Sequence, residues 1–161
     1  MAGLMLIAKQ GHSQNTPTDT IPPDPAMMAV YTVQNMHFGA FTQGPIGGTI
    51  AISNSGVRTV TGDVIGLNMG VGYFEAIFDV EAFPGPMISV TNGPNCTLTG
   101  SNGGSMTMTL GSCSPGSPFA SSVQPPSRTS VHIGGTLTVG PPASNPPGTY
   151  SGTFYVTFHQ E

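Results

Sequence analysis

Gly148-Thr-Tyr-Ser-Gly-Thr-Phe-Tyr-Val-Thr-Phe-His159 is the stretch whose reading decides the fold. By parity, Tyr150, Phe154, Val156 and Phe158 fall on one side, with Gly152 as a gap among them. Ser151, Thr153, Tyr155, Thr157 and His159 fall on the other. Side chains alternate faces along a strand, so the segment describes a ribbon with one aromatic face and one wettable face. A helix would scatter the same residues around its circumference. The aromatic face, Tyr150, Phe154, Val156 and Phe158, therefore belongs to a core.

The preceding sequence supplies strands to pack against it. Ile50 and Ile52 sit between Thr49, Ala51 and Ser53, and Asn54-Ser-Gly56 closes that run. Val60, Gly62 and Val64 oppose Thr59, Thr61 and Asp63. Phe74, Ala76, Phe78, Val80 and Ala82 oppose Tyr73, Glu75, Ile77, Asp79 and Glu81, the longest alternation outside the C-terminal stretch. Ile88 and Val90, then Met106, Met108 and Leu110, repeat the pattern. Val131, Ile133, Leu137 and Val139 share a face, with Gly135 as an in-phase gap. Sequential strands pair by default, which predicts a long hairpin between 128–139 and 148–159. Gln43-Gly-Pro-Ile-Gly-Gly48 reads as a turn, and 112–127, rich in proline and serine, as a loop. About eight short strands without a helical period describe an all-β, antiparallel sandwich.

Composition excludes several functions. Of 161 residues only three are basic (Lys9, Arg58, Arg128), against seven acidic ones. Three scattered cations cannot neutralise a run of phosphates, so nucleic acid is not an expected partner. No stretch reaches the roughly 20 apolar residues of a membrane-spanning helix. Twenty-three glycines and sixteen prolines match a chain of many turns.

Leu4-Met-Leu-Ile-Ala8, followed by Lys9 and the small or polar run Gly11-His-Ser-Gln14, resembles the back half of a secretory signal peptide. The organisation expected is therefore residues 1–14 as the remainder of a signal peptide, with cleavage near Gln14–Asn15, 15–28 as a Pro-rich leader, and 29–161 as one sandwich domain. A secreted or cell-surface location follows from that reading.

The residues with chemistry are few. Cys96 and Cys113 are the only cysteines, and an even count in an exported chain predicts a disulfide. Two free thiols are the rival reading. Two thiolates without a neighbouring histidine fall short of the four ligands zinc takes, so no metal or other cofactor is expected. His12, His37, His132 and His159 are scattered; the predicted hairpin would bring His132 and His159 near each other. Glu75, Asp79 and Glu81 share a strand face and read as solvated. No serine sits in a G-x-S-x-G setting, and no Gly-Gly pair precedes a helix, so the chain reads as non-enzymatic.

Val131-His-Ile-Gly-Gly-Thr-Leu-Thr-Val139 with Gly148-Thr-Tyr-Ser-Gly-Thr-Phe-Tyr-Val-Thr157 resembles the bacterial domain-of-unknown-function 4402 family. Met36-His-Phe-Gly39 and Gly48-Thr-Ile-Ala-Ile-Ser-Asn-Ser-Gly56 are similar to its opening strands, so the likeness covers roughly residues 33–158. The resemblance implies a secreted bacterial protein with an Ig-like, pilin-like sandwich, belonging to surface or fimbrial structures, with no catalytic residues to carry over.

Two functions follow. The first is a structural subunit of a pilus-like filament, joined to copies of itself or to other pilin-like subunits by strand addition. Its donor segment would be Met27, Ala29, Tyr31 and Val33. The last strand, if at a sheet edge, would be where a partner strand is added. The second is a monomeric extracellular adhesin or carbohydrate-binding module, with Tyr73 and Tyr155 as the exposed aromatics.

Overall fold

The computed structural model describes residues 28–161, together with the backbone of 5–11. Expectations that fall on residues 12–27, among them the leader and Met27, lie outside the described residues. The strands are β1 (Met5–Gly11), β2 (Ala29–Gln34), β3 (Ala40–Ile52), β4 (Arg58–Leu67), β5 (Ala76–Glu81) and β6 (Met87–Asn92). They continue with β7 (Cys96–Gly100), β8 (Ser105–Ser114), β9 (Phe119–Ala120), β10 (Thr129–Val139) and β11 (Thr149–Gln160). There is no helix among the described residues, and the chain is all-β as the alternation predicts.

One hydrogen-bonded path runs β2-β5-β10-β8-β7-β11-β6-β9, with β3 also on β10 and β4 on β3. Every pairing on that path is antiparallel. The path does not lie flat. Phe78 on β5 and Phe158 on β11 are four strand steps apart, about 19 Å at the usual spacing. Their ring centroids are nonetheless 5.3 Å apart, edge to face. The sheet therefore curls until these strands face each other across a shared interior. Met36, Phe38, Phe41, Ile50, Ile52, Leu98, Met108, Ile133, Tyr150 and Phe154 fill that interior.

Sequence parity places most of this core correctly. Ala76, Phe78, Val80 and Ala82 are buried on β5, and Val131, Ile133, Leu137 and Val139 on β10. Two residues escape it. Val60 is 41 % exposed while Val64 is buried. Between them Gly62 takes φ of +70°, and a Cβ there would run into the Gly47 carbonyl. Val60 lies opposite buried Ile50 and so keeps the inward side, but β4 pairs only with β3 and solvent reaches Val60 at this edge. Phe74 lies outside β5, bridged to His37, and is 47 % exposed.

The predicted hairpin between 128–139 and 148–159 is not formed. β8 occupies one edge of β10 and β5 followed by β3 the other, so no edge remains for β11. The connection 140–148 instead carries the chain across to β7. The expected turn at 43–48 is a bulge within β3, because Gln43 and Gly48 both remain paired with β4. The expected loop at 112–127 contains the end of β8 and all of β9, whose Phe119 is buried against β6.

The connection before β11 is fastened by Asn145, a buried residue that alternation cannot find. Its Oδ1 accepts from the Gly140 amide (2.5 Å), and its Nδ2 donates to the Ser105 carbonyl (2.6 Å). Its own carbonyl accepts from Gln43 Nε2 at 2.7 Å. One residue thus ties the loop to the start of β8 through its side chain and to β3 through its backbone carbonyl.

Candidate functional site

β11 has two edges, and each has its own partner. On one edge β6 pairs over Val156–Gln160 and β7 over Tyr150–Ser151, both antiparallel. Seven residues of β11, from Tyr150 to Val156, oppose nine residues from Asn92 to Gly100. β6 and β7 are therefore one interrupted strand, bulged at Gly93-Pro94-Asn95, where the Gly93 amide still donates to the Tyr155 carbonyl at 2.8 Å.

On the opposite edge lies β1. It runs parallel to β11 from Met5↔Thr149 to Gly11↔Tyr155. Tyr150 and Ser151 pair with both β7 and β1, so those two strands must lie on opposite sides of β11. β1 also comes close to β3, without pairing to it. Parallel pairing does not extend a hairpin; it is how a strand of remote origin enters a sheet.

The faces of β11 follow the sequence. Tyr150 and Phe154 are buried; Val156 and Phe158 are half-buried against the core. Ser151, Thr153, Tyr155, Thr157 and His159 face solvent. Gly152 is the gap because a Cβ there would lie 2.6 Å from the Thr97 carbonyl and 2.9 Å from Cys96 Sγ. The phenol of Tyr150 donates to the Pro146 carbonyl at 2.8 Å. Burial pushes that phenol above the ordinary tyrosine range, against a smaller opposing effect from Asn145.

The donor segment expected from the sequence has another position. β2 is paired antiparallel with β5 from Ala29↔Glu81 to Gln34↔Ile77. Its inward face is also the opposite one: Met28 and Val30 pack on the core, whereas Tyr31 and Val33 are exposed. Ala29, Tyr31 and Val33 are therefore not apolar plugs awaiting a neighbour's groove.

The cysteines are free thiols. Cys96 pairs in register with Met108 on β8, and Cys113 lies five residues further along that strand. Five residues of strand are about 16 Å, against the roughly 7 Å between Cα atoms that a disulfide tolerates. The disulfide expectation is corrected on that ground. Cys96 is buried, which raises its thiol pKa, and Cys113 is half-buried beside Ile133.

The polar face of β5 and β10 is a ladder of matched pairs. His132 Nδ1 lies 3.0 Å from Glu75 Oε1, Ser130 donates to Asp79 at 2.5 Å, and Arg128 Nε donates to Glu81 at 3.1 Å. The Arg128 guanidinium also stacks 3.7 Å over the Tyr31 ring. The acids thus meet cross-strand partners instead of facing water alone. His132 and His159 belong to strands that do not pair, so the sheet does not bring them together as cross-strand neighbours.

Of the two tyrosines expected to serve a sugar, Tyr73 has the Arg58 guanidinium 4.4 Å over its ring. Tyr155 is 57 % exposed. The open groove of about 290 Å³ between Ile52, Val57, Gly111 and Gly134 has no ionisable side chain in its lining. Among the described residues no group of three or more His, Cys, Asp and Glu could hold a metal, and no helix is long enough to cross a membrane.

No curated protein and no solved structure matches the chain. The model of the family described as "Domain of unknown function (DUF4402)" matches residues 28–159, a span that begins one residue before β2 and ends within β11. The chain belongs to that family.

Proposed function

We propose that the protein is a non-enzymatic, exported structural subunit of the cell surface, built into a pilus-like assembly by β-strand addition. The observation that carries this reading is the second edge of β11, where seven residues from the far N-terminus run parallel to Thr149–Tyr155. A strand that receives a sequence-remote segment in parallel has the geometry by which one polypeptide completes another's sheet. The curled core supports the pilin-like, two-layered form of the fold, and the apolar Leu4–Ala8 run supports export.

The segment 29–33 is not the donor in this reading, because it is already committed to β5. Electron microscopy of filaments sheared from cells, with SDS-resistant ladders of the protein on gels, tests it. Monomeric protein throughout the surface fraction would overturn it.

Tyr155 favours a second reading, a carbohydrate-binding module, since its exposed ring lies on the wettable face of β11. Glycan binding that Tyr155→Ala abolishes would be its signature.

A further inference from the structure

Strand addition leaves open which polypeptide supplies the strand, and the sequence narrows the choice. The occupied stretch of the β11 edge is seven residues long, Thr149–Tyr155. If the leader is removed after Gln14, the strand Met5–Gly11 goes with it and the edge is vacated. A replacement must offer a comparable run of backbone donors and acceptors.

Residues 15–27 cannot provide that run. They contain Pro17, Pro22, Pro23 and Pro25, and the longest stretch between prolines is Thr18-Asp-Thr-Ile21. Each proline removes a ladder donor, and proline is confined to the margins of sheets. Of the other strands, β2 lies at the end of the path but is paired with β5, and those after it are integral to the curled core.

We propose that the β11 edge is an acceptor for a strand donated by a different polypeptide, one that presents about seven proline-free residues parallel to Thr149–Tyr155. The chain's own Met5–Gly11 holds that place until it is removed. A processed second copy does not serve as donor through residues 15–27. The inference rests on the strand-addition reading and restricts it: the processed protein does not polymerise alone but needs a second component.

The experiment uses the full-length chain with Ile7→Pro and Ala8→Pro together. N–H groups along a strand point alternately to its two edges, so one of the two prolines must strike the ladder to β11. Amide hydrogen exchange is read at Thr149–Tyr155, with β8 and β10 amides as the internal control for folding. Exchange in the variant should speed up at the β11 amides that bond to β1, by about tenfold or more, and hold steady in the control strands.

Adding a synthetic peptide of residues 5–11 should then restore protection, whereas a peptide of residues 15–25 should not. As a second measurement, a residue 5–11 peptide with cysteine in place of Ile7 should crosslink to Ser151→Cys in the same variant, its register partner. The proposal is overturned if the variant's β11 amides stay fully protected, if the 5–11 peptide neither protects nor crosslinks, or if the 15–25 peptide protects equally well. That last result would make a second copy the donor. Absence of filaments on cells alongside intact peptide capture would retire the filament reading alone.

Discussion

Phe78 and Phe158 meet edge to face with their ring centroids 5.3 Å apart and their planes inclined at 61°. The two strands that carry them are joined only through β10, β8 and β7, so the contact is made across the core and not along a ladder. It records the curl that turns a single hydrogen-bonded path into a structure with an inside. Phe78 is almost wholly buried and Phe158 is half-buried. Phe78→Ala should therefore cost about 3–5 kcal/mol in denaturant unfolding. Phe158→Ala should cost less, because part of its ring already meets water. A double-mutant cycle should return a coupling of about 0.5–1.5 kcal/mol, the worth of an aromatic pair beyond its burial.

The two cysteines give a chemical test of the register of β7 against β8. With Cys96 opposite Met108 and Cys113 five residues away, both thiols should titrate in denatured, unreduced protein. A reducing agent should leave the thermal midpoint unchanged. In the native state Cys113 should react first, since Cys96 is buried and its thiolate is disfavoured by that burial. A mass lower by two hydrogens, reversed on reduction, would mean that the strands pair differently.

The period of two made the cores of β5, β10 and β11 legible, because a half-buried strand reports its inner face directly in its residues. It read Tyr150, Phe154, Val156 and Phe158 correctly. It placed Val60 on the inward side, opposite buried Ile50, but could not show that β4 pairs only with β3 and leaves that position open to solvent. At β2, Met28 and Val30 alternate with Ala29 and Tyr31 with equal apolar character on both parities, so the buried face was set by packing on β5 alone. Strand partners were less legible than strands. Proximity in sequence favoured a β10–β11 hairpin, but edge occupancy decides pairing, and both edges of β10 were taken by strands from elsewhere in the chain. The second edge of β11 was not legible at all, because its parallel neighbour β1 comes from long-range pairing that no local pattern encodes.

Asn145 should behave as a core residue despite its polarity. Its side chain joins Gly140, Ser144 and Ser105 within a Pro-rich connection that positions the start of β11. Asn145→Ala leaves the Gly140 amide and the Ser105 carbonyl without that partner, at a cost of about 1–3 kcal/mol. Asn145→Asp should do at least as much damage, because a carboxylate cannot donate to the Ser105 carbonyl. Chemical denaturation of both variants, with exchange at Thr149–Ser151 as the local readout, checks the assignment.

His37 predicts how stability responds to acid. Its Nδ1 lies 3.0 Å from the Gly39 amide, which donates to it, and 2.7 Å from the Gly72 carbonyl. One ring nitrogen cannot accept from the first and donate to the second at once, and the neutral ring satisfies the Gly39 amide. Burial lowers the histidine's pKa below its ordinary 6.5, with the Gly72 contact opposing in part. The folded state therefore binds a proton less readily than the unfolded chain. Near neutral pH both states hold His37 uncharged and its contribution is present in full. As the pH falls below about 6.5 the unfolded state takes up the proton first, and stability declines until the folded-state pKa is passed. Urea unfolding of the wild type and His37→Asn between pH 7.5 and 4.5 should show the wild type losing more stability over that acid window. Parallel curves would mean that His37 does not report on folding, and a wild type gaining stability relative to the variant would reverse the sign of its shift.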